Sequence, residues 1–271
     1  MKRHKICKII FAILAVFLCV AFYELIGICI TYKKQPAVSD ATIKETQNIM
    51  SVAGRENTER AVIIEKNSQA LLERVRLIQN AKDEIILSTF AFKSDESGKL
   101  ILGALHDAAD RGVHVRILVD GMESWIDMEG NPYFYGLSSH ENVEIKLYNK
   151  ANPLKPWKTM GRMHDKYLIA DGKIYILGGR NTYNYFLGDF PGHKNFDRDV
   201  LVVCDEPQKD NSVNQLWNYF ETIWEQEDCR YFHNSKKLAD RQSVKKAVLE
   251  LQEGYQQYFE VNKEKICDTD Y

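Results

Sequence analysis

The chain has 271 residues, 45% of them hydrophobic, enough for one good-sized core once any targeting segment is set aside. Its net charge of −2 combines 36 basic with 38 acidic residues, and four of the basic ones, Lys2, Arg3, Lys5 and Lys8, precede the first apolar run. Without these and Glu24 the body is acidic, 32 against 37, which argues against a nonspecific nucleic-acid binder.

From Ile9 to Tyr32 the chain is apolar except for Glu24 near its far end, long enough to span a bilayer. A secretory signal peptide is the competing reading, with Ile9 to Tyr23 as its apolar region and Ala37-Val38-Ser39 as a weak cleavage site. Length and the Lys33-Lys34 pair favour an uncleaved anchor. The larger basic cluster at the N-terminus then keeps that end cytoplasmic and predicts a single-pass protein with its domain outside the cell membrane. Three of six cysteines, Cys7, Cys19 and Cys29, belong to this region. Cys204, Cys229 and Cys267 remain, none in a metal-ligand spacing, with a Cys229–Cys267 disulfide left open.

Residues 33–60 are polar and without period, as in a linker. After Asn67 or Ser68 as cap, Leu71, Leu72, Val75 and Ile78 fall at helical spacing. Ile85 to Phe92 reads as a strand, Ser97 caps a helix ended by Gly112, and Val113, Val115, Ile117 and Val119 alternate as the next strand. This order makes a βαβ unit with a right-handed crossover. Met122 to His140 reads as an aromatic loop, with Trp125, Tyr133, Phe134 and Tyr135 able either to line a site or to pack the loop down, and Asn152 to Trp157 as a second such stretch leading into the site. Val143, Ile145 and Leu147 supply another strand, and Val200 to Cys204 a last one. Val213, Leu216, Trp217, Phe220, Ile223 and Trp224 define an amphipathic helix, and Lys236 to Lys263 a charged one.

The chemistry concentrates in MHDKYLIADGKIYILGGRN, residues 163–181. Two apolar runs flank Asp171-Gly172, a dipeptide suited to the positive φ angles of a hairpin turn. With those two as the loop, Ala170 pairs with Lys173, Lys166 with Leu177 and His164 with Gly179. Alternation puts His164 and Lys166 on one face and Asp165 on the other, and Asn181 returns to the His164 end. An imidazole, a cation and an amide converge beside Gly178-Gly179, which lets backbone N–H groups approach a ligand closely, as a phosphate site with a nucleophile requires. Basic residues, Arg180 among them, outnumber acidic ones around the motif. An imidazole nucleophile needs an acceptor on its second nitrogen, and Asp197 and Asp199, on one side by period two, are the candidates.

The pattern H-x-K-x4-D followed by G-G-x-N resembles the signature of the phospholipase D superfamily through His164, Lys166, Asp171, Gly178 and Asn181. Gly179 departs from it, since many members carry Ser there. The resemblance implies that His164 attacks phosphorus, that Lys166 and Asn181 hold the phosphate oxygens beside Gly178, Gly179 and Arg180, that Asp171 is largely structural, and that Asp197 first and Asp199 second orients the histidine. No cofactor or metal is required by such a mechanism. From Glu65 to Glu227 the chain resembles the first lobe of bacterial membrane-anchored, cardiolipin-synthase-like members.

The resemblance implies an α/β fold, a mixed β-sheet sandwiched by helices, behind an N-terminal transmembrane helix. The expected segments are an anchor (1–32), a linker (33–60), a catalytic lobe (61–230) and a charged helical connector (231–271). The mechanism calls for two copies of the motif and the chain shows one, so a homodimer or a separate second lobe is implied. The expected activity is a phosphodiesterase or phosphatidyltransferase on phospholipid. The alternatives are a metal-independent endonuclease, less favoured by the acidic body, and a noncatalytic membrane-bound remnant.

Overall fold

The computed structural model describes residues 2–33, 39–44, 59–150, 152–158, 160–206, 211–233 and 235–271. The chain divides into two units, residues 1–57 with 151–162, and residues 58–150 with 163–271.

In the first unit, α1 (Lys2–Lys33) contains a 27-residue apolar segment, His4–Ile30, long enough to cross a membrane. At 1.5 Å per residue it extends about 40 Å, against a hydrocarbon core of about 30 Å. The stretch expected to lead into the site belongs to this unit: Tyr23 donates to the Leu154 carbonyl at 3.0 Å, and the absence of a side chain at Gly27 admits the Pro156 ring. Of the expected linker, residues 34–38 and 45–58 lie outside the described residues, a helical turn occupies 40–44, and Glu59 and Arg60 already belong to the first strand.

The second unit is built on an eight-stranded mixed sheet of order β1-β7-β6-β5-β2-β3-β4-β8. Its strands are β1 (Glu59–Ile64), β2 (Glu84–Thr89), β3 (His114–Asp120), β4 (Val143–Tyr148), β5 (Lys166–Ala170), β6 (Ile174–Gly178), β7 (Asp199–Cys204) and β8 (Cys229–Tyr231). Strands β2, β3 and β4 are parallel, and the other pairings are antiparallel. The central β2 and β3 are buried almost throughout, as a parallel sheet covered on both faces requires.

One face carries Ile85, Leu87, Val115, Ile117, Leu168 and Ile176 and packs under α2 (Asn67–Asn80) and α3 (Glu96–Asp110). Over it also lie α5 (Pro132–Ser138) and, beyond the short α7 (Lys236–Ala239), the long α8 (Gln242–Ile266); α4 (Gly121–Asp127) follows β3 directly. The opposite face, with Ile86, Leu118, Tyr167, Ile169, Tyr175 and Val202, packs against α6 (Ser212–Trp224) through Val213, Phe220 and Trp224.

Several elements differ from expectation for identifiable reasons. Asp95, not Ser97, caps α3, its carboxylate accepting from the Gly98 N–H at 3.1 Å. The aromatic stretch after β3 holds two short helices, the first capped by Asp120 and the second by Asn131 ahead of Pro132, whose fixed φ suits a first turn. Phe134 and Tyr135 are buried there, whereas Trp125 is exposed. Strand β8 has three residues and no alternation to announce it. The helix expected as a connector packs on the lobe: Val244, Ala247, Leu251 and Tyr255 are buried, and the backbone of α8 at Leu251 comes so close to Gly103 that a Cβ there would lie 2.6 Å from its carbonyl oxygen. Cys229 is buried, Cys267 is exposed, and neither forms a disulfide.

Candidate active site

The β5–β6 hairpin forms, but one residue out of the expected register. Asp171 and Gly172 adopt the positive φ angles expected of them, 52° and 61°, and the Lys173 N–H reaches the Ala170 carbonyl at 3.1 Å. Ala170 nevertheless pairs with Ile174, and Tyr167 with Leu177, because Lys173 is an extra residue whose carbonyl is taken by the Cys204 N–H. A slip of one exchanges the faces of the partner strand. Lys166 therefore shares a face with Leu168, Ile176 and Gly178, whereas Leu177 turns to the other side.

Three predicted residues meet along Thr89-Phe90-Ala91, where β2 ends. Lys166 stands opposite Thr89 in the sheet, the ring of His164 lies 4.5 Å from that of Phe90, and the Asn181 side-chain oxygen accepts from the Ala91 N–H at 3.3 Å. That bond turns the Asn181 NH2 group away from Ala91 as a donor. His164 is exposed while Lys166 and Asn181 are buried. The Lys166 ammonium donates to the His164 carbonyl at 2.7 Å and lies 5.3 Å from the Phe90 ring centre. Burial pushes this lysine below its ordinary value, while Asp165 and Asp197 pull it back. Asp165 points to the opposite face, where Tyr219 donates to it at 2.9 Å. Burial first, and this carboxylate second, push the Tyr219 phenol up to about 12 and keep it a donor.

The other predicted residues occupy different places. Asp171 is at the turn, a full strand away from His164, and its carboxylate accepts from the N–H groups of Lys82, Asp83 and Glu84 at 2.9, 2.8 and 3.0 Å. The two glycines make room for carboxylates of the chain itself rather than for a ligand. A Cβ on Gly178 would lie 2.0 Å from Asp199 Oδ1, and one on Gly179 would lie 2.0 Å from Asp197 Oδ2. Arg180, expected to bind substrate, is turned inward and wholly buried. It donates to the Ile64 and Glu65 carbonyls and to Asn67 Oδ1, and pairs with Asp199 at 3.3 Å. Asp199 also pairs with Arg74 at 2.9 Å, so it is committed to the interior, while Asp197 remains half-exposed above Gly179 with the Arg198 N–H bonded to it at 2.7 Å.

Sequence reasoning missed Phe90, Arg74 and Asp120. Asp120 caps α4 and accepts from the Met163 N–H at 3.1 Å, tying the residue before His164 to the end of β3. Its signal is an acidic residue closing an apolar strand ahead of Gly121; Phe90 and Arg74 carry none. Beside Asp197 opens a cleft of about 710 Å3 lined by Lys66, Asn67, Ser68, Asp189, Phe196 and Arg198. Among the described residues no three His, Cys, Asp or Glu side chains form a set that could hold a metal ion.

A mixed eight-stranded sheet between helices is the fold of phospholipase D-type lobes. The chain belongs to the family described as "Cardiolipin synthase, PLD-like domain", whose profile matches residues 75–224. Cardiolipin synthase C of Escherichia coli (strain K12) is 29% identical over 154 residues, 52% of this chain and 31% of that protein. The chain spans about a third of the length of the first curated relatives it matches. In fold it is similar to phosphatidylserine synthase of Haemophilus influenzae Rd KW20 (TM-score 0.54, 14% identity, 81% of this chain and 48% of the other). It is also similar to NucT from Helicobacter pylori (TM-score 0.50, 17% identity, 64% and 99%).

Proposed function

We propose that the chain is a phosphatidyltransferase or phosphodiesterase acting on phospholipid, with His164 as the nucleophile. The observation that carries this reading is the meeting of an exposed imidazole, a buried ammonium and a buried amide along Thr89-Phe90-Ala91. In the first step a His164 ring nitrogen forms a bond to phosphorus while the bond to the leaving oxygen breaks, and that oxygen takes a proton from a second acid. In the next step water or an alcohol attacks the phosphohistidine, the phosphorus–nitrogen bond breaks to release the imidazole, and the attacking oxygen passes its proton to the second acid, left deprotonated by the first step. Lys166 and the Asn181 NH2 group stabilise the phosphoryl oxygens, and Asp197 holds the second imidazole nitrogen.

The second acid comes from another copy of the motif, on a partner chain or a second lobe. Phospholipid as substrate is supported by the family description, by cardiolipin synthase C among the relatives, and by the apolar helix His4–Ile30, long enough to cross a membrane.

Trapping tests the reading. Brief reaction with a phospholipid labelled at phosphorus, quenched in alkali, is expected to leave acid-labile label on His164 and none on the His164→Ala chain. Net inversion at a chiral phosphorothioate, or undiminished turnover in His164→Ala, would overturn it.

A further inference from the structure

Asp199 opens β7 opposite Gly178, and its side chain is entirely buried. Its carboxylate sits between the guanidinium groups of Arg74 (2.9 Å) and Arg180 (3.3 Å), as ion pairs rather than aligned hydrogen bonds. Arg74 also donates to the Ala70 carbonyl within α2. Arg180 reaches the Ile64 carbonyl and Asn67 Oδ1, so the cluster joins the end of β1, the helix α2, the segment after β6 and the start of β7. Two buried cations around one anion are an expensive way to fill space, because apolar side chains of similar volume pack as well without desolvation. What this cluster does provide is one buried point that ties four segments together.

The segments fixed in this way carry the site. Asp197 lies two residues before Asp199, and the two carboxylates rest on consecutive glycines, 179 and 178. Arg180 is followed by Asn181, whose side chain meets the Ala91 N–H, while the Thr182 N–H and carbonyl bond to Ala91 and Lys93. We propose that Asp199, clamped by Arg74 and Arg180, is a positioning residue that sets the Asp197 carboxylate and the Asn181 amide relative to His164. The inference rests on the reading of Asp197 as the group that holds the imidazole. Arg180 and Lys166 both sense the Asp197 charge, as expected if that carboxylate is held between the cluster and the site.

The test uses the full chain in detergent and the NMR titration of the His164 ring, assigned by its loss in His164→Gln. Asp197→Asn is expected to lower the His164 midpoint by about one pH unit, the effect of losing an adjacent carboxylate. Asp199→Asn is expected to lower it in the same direction and to lower the melting temperature as well. A double variant, Arg74→Met with Asp199→Asn, keeps the net charge of the cluster and separates the two roles. Recovered melting temperature with a still-lowered His164 midpoint supports positioning. A midpoint at the native value in the double variant, with Asp197→Asn still shifted, overturns the inference and leaves the reading of Asp197 intact. No shift in Asp197→Asn overturns both. The double variant decides alone if Asp199→Asn does not fold.

Discussion

The β5–β6 hairpin carries a carboxylate at its turn and an ammonium near its open end, and the surroundings treat them differently. Asp171 accepts from three consecutive backbone N–H groups, 82 to 84, and fastens the turn to the start of β2. Lys166 is just as firmly placed but poorly matched. Its described hydrogen bond goes to the neutral His164 carbonyl, and burial depresses its affinity for protons despite Asp165 and Asp197 nearby. Under the proposed function a phosphate oxygen would add a directly bonded anion. One end is thus optimised for the fold, under the proposed function the other is kept for a ligand, and the difference can be measured.

The largest expected effect separates the two ends directly. His164→Ala is expected to lower turnover by roughly 10^4-fold or more, the scale of losing a nucleophile, with the melting temperature nearly unchanged because the ring is exposed. Asp171→Ala is expected to do the reverse. Removing the ionised acceptor of three N–H groups, two of them within reach of water, costs about 2 kcal/mol, a drop of roughly 4 to 8 °C in melting temperature, while turnover per folded molecule changes little. Thermal melts and single-turnover rates on both variants check this; a stable Asp171→Ala chain with lost chemistry would erase the contrast.

The paired glycines give the next effect. A Cβ at 178 meets the buried Asp199 and the Arg198 carbonyl at 2.6 Å, with nowhere for them to move, so Gly178→Ala is expected to cost about 3 kcal/mol. Serine at 179 meets the half-exposed Asp197, which can swing outward. Gly179→Ser is therefore expected to cost only about 1 kcal/mol of stability. Turnover then falls by roughly tenfold as the orienting carboxylate is displaced. Equal melting temperatures for the two variants would contradict this account.

What could be read from the sequence follows the same division. Asp171-Gly172 announced the turn, because a hairpin turn is a local rule, whereas the alternation expected from His164 onward starts only at Lys166, where β5 begins. The hairpin register differs because Lys173 is held by Cys204 of β7, a distant partner that no local rule reveals. The sequence leaves the facing partner of Gly178, Gly179 and Arg180 undecided for a similar reason. A glycine next to an arginine is as consistent with phosphate as with a neighbouring carboxylate, and only the pairing of Gly178 with Asp199 decides which one comes close. The charged pattern from 236 to 263 hid the packing of α8, whose narrow apolar stripe of Val244, Ala247, Leu251 and Tyr255 is enough to cover α3 and α5.

The smallest expected effect is one of stability, and it runs against function. A lysine whose folded affinity for protons is below its ordinary value opposes folding while it is charged, since the unfolded chain binds that proton more tightly. Lys166→Met keeps much of the buried stem and removes the charge, so it is expected to stabilise the chain by about 1 kcal/mol, or roughly 2 to 4 °C. The sign with pH follows. The native chain carries the full deficit below the depressed folded value of Lys166, and regains stability as pH rises from there towards the ordinary lysine value of 10.5. The gain from Lys166→Met should therefore be largest near neutral pH and shrink as the solution becomes alkaline. Turnover of the same variant should fall by 10^2- to 10^3-fold, as on removing one donor from an oxyanion site. Denaturant melts of both chains at pH 7 and pH 10 provide the measurement. A Lys166→Met chain less stable than the native one at pH 7 would mean that the ammonium is already matched by its surroundings, and the contrast between the two ends of the hairpin would have to be abandoned.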